Sequence, residues 1–485
     1  MAHGWVEACC VRLAAAPCLH CSVRFRAVAP TFWPKSSLMF PHQIARRLLV
    51  GLIVSTLPLS LQGQPSGSTT WVPQVLGTQV TVIGQQLGSF AAAYSGPMSL
   101  ASGGDRAISH TYGLYLGAHI LAHLDGYLDT EMARGSGISR ASGLAGVTNG
   151  DVLRQGTADL GTGPYVARMF LRLTLPLGDV VDTVGRGTDQ LAGPVARRRV
   201  EVAAGKMAAS DLFDVNRYAN STRTQFLNWG LFQNTAWDFA ADTRGYTNGI
   251  ALSWIAPRAA LRVGSFQMPR QANGNVFDSD LRRARGDNIE LTLSAIPGGG
   301  VVRLLAYQNH ARMGDYTEAL AFARAAGAVP DIVADDRPGR RKRGIGLNVE
   351  QPLADGGETG VFLRAGGTDG VTESFAFTEV EGHLSGGVQI SGARWGRQPD
   401  RLGVAVLRHT INDAHRAYLA AGGSGFLLGD GALRYGPETF VESYYALQLG
   451  SYLQISPDVQ FVRNPGYNRD RGPAWVETLR ANLRY

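Results

Sequence analysis

At 485 residues with 45% hydrophobic side chains, the chain is long enough for two or three soluble domains or for one large closed barrel. Its formal net charge of +7 is weighted toward residues 1–63, which hold six basic side chains and one acidic one, leaving 40 basic and 38 acidic residues interspersed downstream. A nucleic-acid binder concentrates basic side chains in one patch or stripe, so this distribution argues against a nucleic-acid partner.

All four cysteines, Cys9, Cys10, Cys18 and Cys21, precede Met39. The body can therefore cross an oxidising periplasm without relying on disulfides. The long apolar run Leu48–Leu61 follows Arg46 and Arg47 and gives way to Gln62, Gly63 and Gln64. A basic n-region, a short apolar h-region and a small residue make a secretory signal, with cleavage expected near Gly63. The run falls well short of the roughly 20 residues of a spanning helix and contains Pro58, so it is a poor anchor. The expected organisation is a signal peptide at 39–63 and one domain at 64–485, with 1–38 an extension from an over-extended gene start.

No helical stripe dominates the body; two-periodic segments broken by Gly, Pro, Asp and Asn recur instead. Thr111–Thr130 reads as one long strand, with Tyr112, Leu114, Leu116 and Ile120 on one face and His119, His123, Asp125 and Asp129 on the other. It exceeds the roughly 9 to 11 residues a membrane strand needs, so it is expected to project beyond the bilayer. The same alternation recurs at Tyr165–Leu175, Val200–Ala204, Gly249–Ala256, Leu261–Phe266, Ile289–Ala295, Val302–Ala306 and Ile345–Val349. It continues at Val361–Ala365, Phe375–Val380, Leu384–Ile390, Leu402–Val406, Val441–Leu449 and Val459–Phe461. Ile296–Gly300 and Ser456–Asp458 suit short turns, whereas Ser210–Asn248 and Ala311–Arg343 suit external loops or segments folded into a lumen. The basic run Arg337–Arg343 reads as a solvated loop.

The last eight residues alternate without a break: Leu479, Ala481, Leu483 and Tyr485 face one way, Thr478, Arg480, Asn482 and Arg484 the other. Such a strand suits a wall between lipid and water, although an edge strand of a soluble sheet shares the pattern. The segments together predict an all-β fold, a transmembrane antiparallel barrel of about 16 strands, with 18 as the alternative, around a water-filled lumen. Tyr485 is expected to serve as the signal read by the barrel-assembly machinery.

Two stretches call up a family. Gly205–Trp254, with D-x-F-D-x-N-x-Y-A-N and W-D-x-x-x-D-x-x-G-Y-T, resembles the hallmark region of the carbohydrate-selective (OprB-type) porins. Glu442–Pro473, with S-P-D-x-Q and N-P-x-Y-N-x-D-R-G-P, resembles that family's C-terminal end. The resemblance implies passive diffusion of small hydrophilic solutes, monosaccharides or short oligosaccharides, through the outer membrane of a Gram-negative bacterium, with no cofactor and no chemistry. Ala311–Leu320 and Ala420–Gly431 resemble a branch in which some members are described as high-affinity manganese porins, so manganese transport is the alternative. The barrel would work as a monomer or a homotrimer.

A sugar path needs aromatic faces for C–H surfaces, with arginines and carboxylates for hydroxyls. The wall candidates are Arg168, Arg172, Glu201, Glu290 and Arg364, and the hallmark region adds Asp211, Asp214, Asn216, Arg217, Trp237, Asp238 and Asp242. Each has a plainer structural reading, as a turn former, a lumen brace or an interfacial girdle aromatic. A cation strip would use His119, His123, Asp125, Asp129 and Glu131. Strand residues two apart lie about 6.5 Å from each other, so one strand alone cannot enclose an ion. Catalysis would need Ser, His and an orienting group together; His409 and His415 are present without a nucleophile elbow. A non-conducting lectin or assembly barrel is the remaining class.

Overall fold

The computed structural model describes residues 73–151, 160–376 and 378–485. The signal at 39–63, the extension at 1–38 and the four cysteines lie outside the described residues.

Among the described residues eighteen strands follow one another: β1 (Gln74–Leu87), β2 (Asp105–Leu121), β3 (Leu124–Gly135), β4 (Tyr165–Pro176), β5 (Val181–Val184) and β6 (Gly193–Ala196). Then come β7 (Arg199–Met207), β8 (Thr247–Ala256), β9 (Ala259–Gln267), β10 (Arg285–Ile296), β11 (Gly300–Met313) and β12 (Arg337–Ala354). The last are β13 (Thr359–Thr368), β14 (Gly382–Ser391), β15 (Arg401–Thr410), β16 (Glu438–Leu449), β17 (Leu453–Arg463) and β18 (Ala474–Arg484). Sixteen of them close an antiparallel barrel in chain order, with β1 joined to β18 from Gln79↔Arg484 to Leu87↔Val476; β5 and β6 pair only with each other. Closure is what lets such strands lie in hydrocarbon, because an open edge would leave backbone groups unpaired at a cost of several kcal/mol each.

Alternation sets the two faces. On β8, Ile250, Leu252 and Trp254 point outward and exposed while Ala251 and Ser253 are buried inside. On β18, Trp475 is 55% exposed outside, whereas inward Arg480 and Asn482 are fully buried. One rim carries mostly short turns, such as 257–258, 297–299 and 450–452; the other carries the long connections 208–246, 314–336 and 411–437. Two helices belong to that long-loop rim, α1 (Tyr316–Ala326) and α2 (Asp413–Ala420), and Tyr316 stacks on His415 between them at 4.2 Å.

Several expectations change. Thr111–Thr130 is a hairpin: β2 ends at Leu121, β3 begins at Leu124, and His119 stands opposite Asp125. The cation strip therefore spans two strands. Phe375–Val380 carries no strand, lying in the connection between β13 and β14. Ser456–Asp458 is inside β17, opposite Arg480–Thr478, and the adjacent rim turn is at 450–452. Arg337–Arg343 begins β12 rather than forming a solvated loop, and its Lys342 is fully buried. The strand β1 went unread. The closed set of sixteen thus includes β1 and both arms of the hairpin and excludes Phe375–Val380.

Candidate solute path

The stretch 208–246, between β7 and β8, runs through the barrel interior. Wall side chains hold it at many points. Asp214 meets Arg364 of β13, Nε to Oδ2 at 3.1 Å, and accepts from Asn348 of β12 at 2.8 Å. Asp238 meets Lys342 of β12 at 3.1 Å and caps the backbone of Phe375 and Ala376. Glu442 of β16 accepts from the backbone N–H groups of Leu227 and Asn228 at 2.6 and 2.9 Å. Arg480 of β18 donates to the carbonyls of Thr222 and Gln225 at 2.6 and 2.7 Å. Aromatic side chains fill the gaps, Phe226 against Phe362 and Tyr444, and Phe213 against Trp237 and Phe266. This segment carries N–H and C=O groups away from bulk water, so each needs a partner, and inward wall residues supply them.

The filling is one-sided. What stays open is a cavity of about 740 Å³ against β1–β4, reaching from Tyr452 and Tyr485 at the short-turn rim to Thr243 and Arg244 near the other end. Two arginines dominate it. Arg223, from the lumen loop, donates to Asp151 at 2.6 Å, to Glu131 at 2.9 Å and to the Tyr115 hydroxyl at 2.9 Å. Arg168, from β4, grips Asp211 with two bonds of 2.6 and 2.8 Å and reaches Asp129 at 3.3 Å and Asp189 at 3.5 Å. Burial opposes the charge on Arg223, yet Asp151 and then Glu131 outweigh it and hold its pKa well above the ordinary arginine value.

Three tyrosines complete the cluster. Tyr165 and Tyr246 both donate to Glu131, at 3.1 and 2.6 Å, and Tyr115 donates to its other oxygen at 3.2 Å. Burial, and next the charge of Glu131, push the Tyr246 phenol well above its usual range, so it remains a donor. Arg244 lies 4.3 Å from the Tyr165 ring centre, and Arg168 lies 5.3 Å from that of Tyr246. Among the described residues the cavity is lined by five arginines (Arg168, Arg186, Arg223, Arg244, Arg484) and four acidic side chains (Glu131, Asp151, Asp189, Asp211), with Asp129 behind them. Fixed charges of both signs, nearly balanced, suit an uncharged polyhydroxy solute better than an ion.

Of the twelve path residues read from the sequence, Arg168 and Asp211 line this cavity. Arg172 points inward but binds Tyr127 and Gln190, and Glu201 pairs with Arg199 near the rim. Glu290 accepts from the Asp214 backbone at 2.7 Å, Asn216 bonds Asn348, and the Arg217 backbone bonds Glu350. Asp242 caps its own turn at Arg244 and Tyr246. Trp237 is neither path nor girdle: it is 2% exposed and donates to Asn288 at 2.9 Å. Asp214, Asp238 and Arg364 are the braces described above. In the proposed cation strip His119 pairs with Asp125 at 2.7 Å near the short-turn rim, His123 is exposed in the turn, and Asp129 and Glu131 are taken up by Arg168 and Arg223. Among the described residues no group of three or more His, Cys, Asp or Glu is arranged to hold a metal ion.

Arg223, Asp151, Tyr115, Tyr165 and Tyr246 were missed. Tyr115 shares the inward parity of His119, and Arg223 and Tyr246 sit inside the hallmark region, so a signal existed for these; Asp151 offered none.

The family described as "Carbohydrate-selective porin, OprB family" matches residues 185–485. Among solved structures, the high-pH form of OprB from Pseudomonas putida is similar at 16% identity and a TM-score of 0.63, over 84% of this chain and 94% of that one. The outer membrane channel DcaP of Acinetobacter baumannii is similar at 9% identity and a TM-score of 0.46, over 85% and 97%. No curated protein matches the chain.

Proposed function

The chain belongs to the carbohydrate-selective porin (OprB) family, an outer-membrane porin for small hydrophilic solutes, and on that premise we propose that monosaccharides and short oligosaccharides diffuse along the β1–β4 wall. The rim of short turns then faces the periplasm and the long loops face outside, as in other barrels of this kind. The observation that carries the reading is the ring of Arg168 and Arg223 with Glu131, Asp151 and three tyrosines on one cavity. Guanidinium and carboxylate groups can exchange hydrogen bonds with sugar hydroxyls, and the exposed rings of Tyr452 and Tyr485 at the cavity's short-turn end can cover C–H surfaces. Passage needs binding firm enough to replace part of the solute's hydration and weak enough to release it. No catalytic step is involved.

Manganese fits less well, because Asp129 and Glu131 of its strip are already paired with arginines and Asp125 with His119. Export through a cleaved signal at 39–63 and recognition of Tyr485 by the assembly machinery belong to the same reading. Liposome swelling with purified, refolded protein tests it: glucose-sized sugars should enter faster than through control liposomes. Channels that sugars neither cross nor block, together with Mn²⁺ uptake that depends on the protein, would replace it with the manganese reading.

A further inference from the structure

The connection from β4 to β7, residues 177–198, is the longest at the periplasmic rim. It holds the β5–β6 hairpin, and beyond those strands Gly187 and Gln190 exchange backbone hydrogen bonds of 2.9 and 3.3 Å, which puts Thr188 and Asp189 at the tip. That tip does not hang in the periplasm. Asp189 lies 3.5 Å from Arg168, which is eight residues up β4 from Pro176, so the hairpin folds back along the inner wall by about 26 Å at some 3.3 Å per residue.

Three contacts keep it there. Leu191 is 1% exposed, packed with Leu76 over Gly117, where a Cβ would stand only 3.2 Å from the leucine side chain. Gln190 accepts from Arg172 at 3.3 Å. Arg186 donates to the Val75 carbonyl at 3.2 Å and lies 4.9 Å from the Tyr485 ring centre. Arg186, Thr188 and Asp189 all face the open cavity.

We propose that the hairpin is a second constriction element, inserted from the side opposite the lumen loop, and that Asp189 at its tip sets the charge selectivity of the path by occupying Arg168. This rests on the cavity being the solute path. The two carboxylates that the inserted segments bring to Arg168 are not equivalent. Asp211 holds it through two short, parallel bonds and braces the lumen loop, whereas Asp189 stands off at 3.5 Å beside the Asp129 carboxyl. Asp189 can therefore yield its place to a solute hydroxyl without loosening Asp211. With Asp211 and Asp129 already against Arg168, Asp189 adds a further negative charge to that cluster and so disfavours anions entering from the periplasmic side.

The test is the reversal potential of single channels in a planar bilayer under a KCl gradient. Asp189→Asn should raise the anion-to-cation permeability ratio by about four- to sixteen-fold, because losing one negative charge about 5 Å from the ion path raises anions and lowers cations by about two- to four-fold each. Asp182→Asn, exposed on the same hairpin and paired with Arg197, should leave the ratio unchanged. Because the described body has no cysteine, Asp189→Cys can be assembled first and modified afterwards with thiol reagents, so a folding defect cannot mimic the effect. An anionic reagent should restore the wild-type ratio and a cationic one should raise it further. Conducting channels whose ratio is the same in wild type, Asp189→Asn and both modified Asp189→Cys forms overturn the proposal while leaving the porin intact. A wild type that neither conducts nor passes sugar overturns the underlying reading as well.

Discussion

Arg168 and Arg223 hold their positions by different means, and the difference is measurable. Arg168 stands on the wall, while Arg223 rides on the lumen loop and reaches back to Glu131 and Asp151. Replacing Arg223 by Gln removes charged donors from the cavity wall. Hydrogen bonds to charged groups are worth about 1.5–3 kcal/mol each, so block of the ion current by sugar should weaken about 10- to 100-fold. At Asp214 the expected effect is structural: Asp214→Ala leaves Arg364 fully buried without its counter-charge, at about 3–5 kcal/mol. Urea unfolding followed by tryptophan fluorescence should show an earlier loss of the loop that carries Trp237. An unchanged midpoint would mean that Arg364 finds another partner. The inward direction of Arg168, Arg364, Arg480 and Glu290 was legible from strand alternation alone. What they meet was not, because Asp214 is 150 residues from Arg364 in the chain and only closure of the barrel brings them together.

Among the elements, the strands were legible and the inserted segments only partly so. Period-two patterning survives because lipid and lumen impose opposite demands on successive residues. The lumen loop breaks the rule, since it brings Phe226, Phe213 and Trp237 into an interior expected to be polar and gives inward apolar residues such as Phe362 a surface to cover. The external loops carry a pH dependence of their own. Burial, against weaker opposition from the Gly314 N–H and Lys342, pushes Glu373 up to about 8, with Asp336 and Glu379 adding to the rise. Burial likewise pushes Glu379 up to about 7, with His415 opposing and Glu381 assisting. An unfolded glutamate titrates near 4.3, so between about pH 4 and 8 the folded loops hold protons that the unfolded chain has lost. Their stability should therefore fall as pH rises through this window. Hydrogen-exchange protection factors for 369–381 should be higher at pH 5.5 than at pH 8.5, and Glu373→Gln should flatten the difference. Equal protection at both values would contradict this.

At the scale of the whole molecule, the barrel and its seam follow from the same alternation that ends at Tyr485. Tyr485 exchanges backbone hydrogen bonds with Thr78 at 2.9 and 3.2 Å, and its ring lies beside Tyr452 and Arg186. Tyr485→Ala should lower the yield of heat-modifiable, assembled barrel in outer membranes while the assembled fraction keeps its ion selectivity. Normal yield would remove Tyr485 from assembly. With the lumen loop filling one side, the proposed route runs along the β1–β4 wall, and a sugar in transit there should obstruct the ions that share it. Single-channel recording with added glucose measures this most directly. Wild-type channels should show concentration-dependent reduction of the ion current, weakened in Arg168→Gln and Arg223→Gln. An undiminished current at every glucose concentration, in channels that conduct ions normally, would contradict a sugar path along this wall.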